Sequence, residues 1–221
     1  MATSVRDTVI FDVDGTLVDS NYQHTMAWCR AFRTYDIVLP LWRIHRGLGM
    51  GGDQVVEHLT DAATEERIGS ELRKAWTQEF EPMLGEIRPL PGAHDILVAV
   101  REAGFSVVLA SSGQPEHVEH SLDLLDARDI VEGWTTSEDV EATKPEPDLL
   151  QAAMAKASGN APVMVGDSVW DVEAAKRIDV PTLTLRTGGF SADELIEAGA
   201  VEVFDELDAL QASIGRGLLA R

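Results

Sequence analysis

The sequence predicts an α/β fold, a doubly wound parallel sheet core carrying an inserted α-helical cap domain. Three observations predict it. Short apolar, β-branched runs alternate with helix-length segments along most of the chain. The runs lack the strict polar alternation of a half-exposed sheet, as expected for parallel strands covered on both faces. One stretch, from about Val18 to Pro89, instead reads almost wholly helical and is too long for a single crossover.

The first strand is "TVIFDV". Helical patterns follow in "YQHTMAWCRAFRTY", "GGDQVVEHLTDA" and "TEERIGSELRKAWTQEFEPML". Their exit, "EIRPLPGA", carries Pro89, Pro91 and Gly92, which stop helices and suit a hinge. The expected division is therefore a core from residues 1–17 and 90–221, with a cap from 18–89. Strands are then expected at "FSVVLASS", "GWTTS", "APVMVGD", "PTLTLR" and "VEVF". Between them lie the helical segments "GAHDILVAVREAG", "PEHVEHSLDLLDA", "EPDLLQAAMAKAS", "SVWDVEAAKRI" and "SADELIEAG". In the last, Ser191 precedes Glu194 by three residues, a capping-box signature. Trp28, Trp42 and Trp76 read as the core of the cap, and His117 and His120 as one solvated helix face. Asp179, just before the fifth of the six predicted strands, tolerates a left-handed helix end better than most residues.

The formal charge is −20 over 221 residues. Such a field repels nucleic acid and anionic membrane surfaces, so neither is expected as a partner. No run of eighteen apolar residues exists, and "MATSVRDT" does not resemble a secretory leader. Cys29 is the only cysteine, which fits a reducing, cytoplasmic setting. A monomer or weak homodimer is expected.

Four segments carry chemistry. "VIFDVDGT" drives a strand into Asp12 and Asp14, at the carboxyl end where open α/β sheets place ligands. Two such carboxylates repel by roughly 1–4 kcal/mol at effective dielectrics of 80 to 20, so a metal, a lysine or a proton must compensate. "VGDSVWDV" adds Asp167 and Asp171 after a second strand; clustered Asp oxygens suit a hard cation such as Mg²⁺. "ATKPEPD" supplies Lys144 as a compact positive charge. "VVLASSG" ends a strand in Ser111, Ser112 and Gly113, where hydroxyls and backbone N–H groups can cradle phosphate.

In this order the four segments resemble the haloacid dehalogenase superfamily, whose core is Rossmann-like and whose members often carry a helical cap. The resemblance implies phosphoryl transfer through an aspartyl-phosphate. Asp12 would attack phosphorus, and Asp14 would act as general acid and then base. Ser111 and Lys144 would hold the transferring group. Mg²⁺ would be held by the Asp12 side chain, the Asp14 backbone carbonyl and Asp167, with Asp171 orienting a water.

His24, one helical turn past Ser20, matches a substrate-side histidine of sugar-phosphate members. The loop "HRGLGMGGDQ" matches a substrate-selecting cap loop, from which Arg46 could reach an anionic substrate. Asp19 and Ser20 read as the start of the cap rather than as chemistry. The expected function is a Mg²⁺-dependent phosphatase for a small phosphorylated metabolite, of the phosphoglycolate-phosphatase-like kind. A β-phosphoglucomutase-like mutase is the alternative, disfavoured because Met50 stands where that group's cap arginine aligns. Asp14 argues against a dehalogenase, which carries Tyr there. The distribution of lysine disfavours a phosphonate hydrolase. The intact acidic residues and Lys144 disfavour a catalytically silent phosphometabolite-binding protein.

Overall fold

A computed structural model describes residues 5–221; the first four residues of the expected core and leader reading lie outside it. A six-stranded parallel sheet runs through the molecule in the order β5-β4-β1-β6-β7-β8. Its strands are β1 (Thr8–Asp12), β4 (Ser106–Ala110), β5 (Gly133–Thr135), β6 (Pro162–Gly166), β7 (Thr182–Leu185) and β8 (Glu202–Phe204). All six lie in segments the sequence predicts as strands. In β1 the residues Val9, Ile10 and Phe11 are fully buried, each contributing about 1.5–3 kcal/mol on burial. Their complete burial explains the apolar run: helices cover both faces of the sheet.

From β1 the chain winds to β4 and β5 on one side, then returns to β6, β7 and β8 on the other. The strand order reverses at β1, so a crevice opens at the β1 carboxyl end. Register brings the site residues there. Asp12 pairs with Ala110, the residue before Ser111. Phe11 pairs with Val165, two residues before Asp167. The crossovers are α5 (Ala93–Glu102), α6 (Pro115–Leu125), α7 (Asp148–Met154), α8 (Val169–Lys176) and α9 (Ala192–Ala198). The Ser191–Glu194 capping box is formed at the start of α9. Asp179 takes the left-handed conformation, with φ 56°, between α8 and β7. A last helix, α10 (Leu207–Gln211), buries Leu207 and Leu210 against the core.

The inserted stretch holds α1 (Asn21–Arg33), α2 (Leu41–Arg46), α3 (Gly52–Leu59) and α4 (Ala62–Phe80). These share their own buried cluster, with Phe32, Ile44, Val56, Leu59 and Leu72 at its centre. Asp61 caps α4 by accepting from Thr64 N at 2.7 Å. The chain enters and leaves the insertion along a two-stranded antiparallel ribbon, β2 (Val18–Asp19) and β3 (Arg88–Pro89). α2 and the ribbon have no separate signal in the sequence, because each is too short for a period to register.

Two tryptophans behave as expected and one does not. Trp28 is buried, and Trp76 stacks against Trp28 and Phe80. Trp42 is 69% exposed, because α2 buries only Ile44 and turns its other face outward. His117 also departs from the expected solvated face. It is buried, with its ring edge-on to Trp76 and Phe80, because α6 packs that face under the end of α4. His120 Nε2 donates at the same seam to the Leu84 carbonyl at 3.1 Å.

Candidate active site

At the carboxyl ends of β1 and β6, Asp12, Asp167 and Asp171 each place a carboxylate oxygen within 4.8 Å of the others. All three are buried. Lys144, itself buried, donates to Asp12 and lies 2.6 Å from Asp171 Oδ1. Three carboxylates thus face one ammonium, a formal excess of two negative charges in a low-dielectric setting. Burial raises Asp12 well above the usual carboxylate range, and Asp171 and Asp167 add to this against the pull of Lys144. Burial, reinforced by Asp171, pushes Asp167 up to about 7 despite hydrogen bonds from Asn21 and Thr16. Burial would lower Lys144, but Asp12 and Asp171 outweigh it and raise the lysine above its ordinary value.

Asp167 is closely framed. Asn21 Nδ2 donates to its Oδ2 at 2.9 Å, and Thr16 Oγ1 to its Oδ1 at 3.2 Å. A Cβ at Gly15, which holds φ +78°, or at Gly188 would collide with this carboxylate. The hard oxygen donors, the charge excess and the two glycine gaps fit a small divalent cation. Asp12 and Asp167 would hold it with the backbone carbonyl of Asp14.

The Asp14 side chain points elsewhere. Ser20 Oγ donates to Asp14 Oδ1 at 2.6 Å, and His24 Nε2 lies 3.2 Å from the same oxygen. Burial raises Asp14, but the His24 and Ser20 contacts outweigh it and hold its pKa at about 2. His24 is fixed in turn by stacking on Phe80, with centroids 4.1 Å apart, and on Trp76 at 5.5 Å. Asp171 is engaged from both sides. Ser168 N and Oγ donate to its Oδ2 at 3.1 and 2.6 Å, while Oδ1 faces Lys144.

Ser111 and Ser112 divide between two spaces. Ser112 and Gly113 line a cavity of about 320 Å³ together with Asp12, Asp14 and Lys144. Ser111 is buried, accepts from Gly113 N at 3.1 Å, and faces a second, small cavity beside His117. Thr135 Oγ1 braces Ser111 through its backbone N and O, each at 3.1 Å. The roof of the larger cavity is the cap: His24, Trp28, Trp76, Arg73 and the loop from Leu48 to Asp53.

Arg46 is not brought to this cavity. Its guanidinium pairs with Glu194 and lies 3.9 Å over the Phe190 ring, because α2 directs it onto the α9 side of the core. The cavity's cap cation is Arg73, which the sequence reading passed over inside a polar helix. Thr16 closes the Asp12–Thr16 motif and meets Asp167, while Asn21 and Ser20 join the site without a motif of their own. Their only signal was proximity in sequence to Asp12 and Asp14.

A family model described as haloacid dehalogenase-like hydrolase matches residues 6–179. A phosphoglycolate phosphatase of Agrobacterium fabrum (strain C58) is 27% identical, covering 96% of this chain and 94% of the relative. The crystal structure of a hydrolase from Pseudomonas syringae superposes with a TM-score of 0.87 at 32% identity, covering 94% of this chain and 97% of that one. CbbY from Rhodobacter sphaeroides, solved in complex with phosphate, shares the fold with a TM-score of 0.74 at 23% identity, covering 93% of this chain and 96% of that chain. The expectation of a hydrolase of the phosphatase type is borne out by the family and by the names of its relatives. Among the described residues no helix is long and apolar enough to cross a membrane. By sequence and by fold, this chain belongs to the haloacid dehalogenase-like hydrolases.

Proposed function

We propose that this chain is a Mg²⁺-dependent phosphatase that hydrolyses a small phosphorylated metabolite through an aspartyl-phosphate on Asp12. The observation that carries this reading is the buried Asp12–Lys144–Asp171–Asp167 cluster opening into a cap-roofed cavity. The relatives named phosphoglycolate phosphatase support a small acidic phosphomonoester as the substrate class.

The chemistry follows from the residues. The Asp12 carboxylate attacks phosphorus, forming a bond from its oxygen as the ester oxygen leaves. Mg²⁺, when bound, offsets the negative charge of the carboxylates and of the phosphoryl oxygens. Lys144 places fixed positive charge beside the nucleophile, and the Ser111–Gly113 turn offers donors to the transferring oxygens. Asp14 protonates the leaving oxygen and later takes a proton from the water that cleaves the acyl-phosphate. With a pKa of about 2 in this arrangement, Asp14 is ionised and ready for the second of these roles. Serving the first requires it to leave Ser20 and His24 and gain a proton.

A phosphatase is favoured over a mutase by the roof of the cavity. Met50 occupies the loop, and Arg73 is shared with Glu65 through bonds of 3.0 and 2.8 Å, so its hold on a distal anionic group is weaker than that of an unshared guanidinium. A loosely anchored intermediate yields to water. The single buried cysteine supports a cytoplasmic enzyme.

A panel of phosphomonoesters with and without Mg²⁺, read by phosphate release, tests the proposal. Release from a small acidic ester is expected. Conversion of β-glucose 1-phosphate to glucose 6-phosphate without free phosphate would replace it with the mutase.

A further inference from the structure

The cap does not merely cover the site; it grips the residue next to the lysine. Asp53, in the first turn of α3, accepts two hydrogen bonds from Thr143, one from the backbone N at 3.1 Å and one from Oγ1. Gln54 Nε2 donates to Asp53 Oδ2 at 2.8 Å, which orients the carboxylate. Thr143 is buried and immediately precedes Lys144. The approach is close enough that a Cβ at Gly51 would collide with the Thr143 side chain. A Cβ at Gly49, which holds φ +94°, would collide with Ser168, the residue whose hydroxyl and N–H hold Asp171. The glycine-rich cap loop therefore touches the neighbours of both Lys144 and Asp171. These contacts break if the cap swings away about its β2–β3 ribbon.

We propose that Asp53 is a positioning residue that couples closure of the cap to the placement of Lys144. With the cap shut, Asp53 takes both Thr143 donors and fixes the backbone from which Lys144 reaches Asp12 and Asp171. With the cap open, Thr143 loses both acceptors and the lysine's tether loosens. The catalytic charge is thus assembled only when the cap is shut over a bound substrate. This inference rests on the phosphatase reading above.

Two measurements test it, and the first needs no turnover. The Thr143 amide donates to Asp53, so its hydrogen-exchange rate reports the contact directly. In Asp53→Asn and Asp53→Ala that amide is expected to exchange at least about tenfold faster, with the amides of β1 and β6 unchanged. The second is kinetic. With p-nitrophenyl phosphate and Mg²⁺, kcat is expected to fall about 10- to 100-fold in Asp53→Ala, the scale of an ångström-sized misplacement, with KM within about twofold. The same fall is expected with a metabolite ester, since Asp53 acts through Thr143 rather than on one substrate. Thr143→Val should reproduce part of the loss, Thr143→Ser should restore the rate, and combining Asp53→Ala with Thr143→Val should cost less than the product of the single losses. Unchanged Thr143 exchange, unchanged kcat, or losses that simply multiply would overturn the proposal. If wild-type protein releases no phosphate from any ester, the phosphatase reading fails, and the exchange arm still decides whether Asp53 holds Thr143.

Discussion

Asn21 donates to Asp167 Oδ2 at 2.9 Å, joining the first residue of α1 to the acid that follows β6. The bond crosses 146 residues of chain and orients a carboxylate that burial drives toward neutrality. Partners of this kind around a metal site tune affinity by about 10- to 100-fold. Asn21→Ala should therefore raise the Mg²⁺ concentration for half-maximal activity by about that factor, with KM for the ester moving less. Magnesium titration of phosphate release measures it. An unchanged half-saturation would show that Thr16 alone holds Asp167.

Replacing the nucleophile separates chemistry from folding. Asp12→Asn keeps the shape of the side chain but cannot carry an acyl-phosphate, so turnover should vanish. The fold should persist, because Lys144 retains Asp171 as its partner. Asp14→Asn should slow turnover by about 10²–10⁴-fold, the range for a general acid–base. Phosphate release together with thermal unfolding checks both. Activity of the Asp12 variant above a small percentage of wild type, with deamidation excluded by mass, would reassign the nucleophile.

Removing metal should act on stability as well as on rate. Three buried carboxylates share one ammonium, so a bound divalent cation favours the folded state by mass action. At 100-fold excess over its dissociation constant the gain is about 2.7 kcal/mol. Thermal unfolding in Mg²⁺ against chelator should show a higher Tm with metal, and Asp167→Asn should abolish most of the difference. Equal Tm values in the wild type would argue against a cation in this cluster.

The sheet was legible because its central strands β1, β4 and β6 are largely apolar runs, and Asp12 and Asp167 were legible because they end two of them. Asp12, Asp14, Asp167 and Lys144 needed no knowledge of the cap. The roof was opaque for a physical reason. Arg46 and Arg73 both sit among polar helix residues, and which of them faces the cavity depends on how α2 and α4 are packed, a long-range property. His117 misled similarly. Spacing put it on one face with His120 but could not tell that α4 would cover that face. Asn21 and Ser20 look like the start of any helix until Asp167 and Asp14 are folded against them.

The buried His117 has a consequence for pH. Burial, with His24 nearby, lowers its pKa below the ordinary value, and its Nδ1 has no hydrogen-bond partner among the described residues. The unfolded chain then binds the proton more readily, near pH 6.5. Stability should be full above that value and fall as pH drops through 6.5 toward the lower folded pKa. His117→Phe keeps an aromatic ring against Trp76 and Phe80 but cannot titrate. Urea unfolding at pH 8 and pH 5.5 should show a smaller loss on acidification in the variant than in the wild type. Equal losses would mean that the ring charges freely in the folded state.

Arg73 offers the sharpest test of what the cavity selects. It reaches the cavity from α4 and is held by Glu65 and by the Gly52 carbonyl at 3.2 Å. If it meets a second anionic group of the substrate, its loss removes a charged hydrogen bond of about 1.5–3 kcal/mol. A distal contact of that sort is present in ground and transition states alike, so Arg73→Ala should raise KM about 10- to 100-fold while leaving kcat nearly unchanged. The effect should appear with phosphoglycolate, whose carboxylate lies away from phosphorus, and be small with p-nitrophenyl phosphate, which has no second acid. Arg46→Ala serves as the control. Its guanidinium lies over Phe190 and pairs with Glu194, outside the cavity, so KM should not depend on the substrate's second charge. A rise in KM that is equal for both esters in Arg73→Ala would instead make Arg73 a brace for Glu65 and the α3 entry, and would leave the choice of substrate to the Leu48–Asp53 loop.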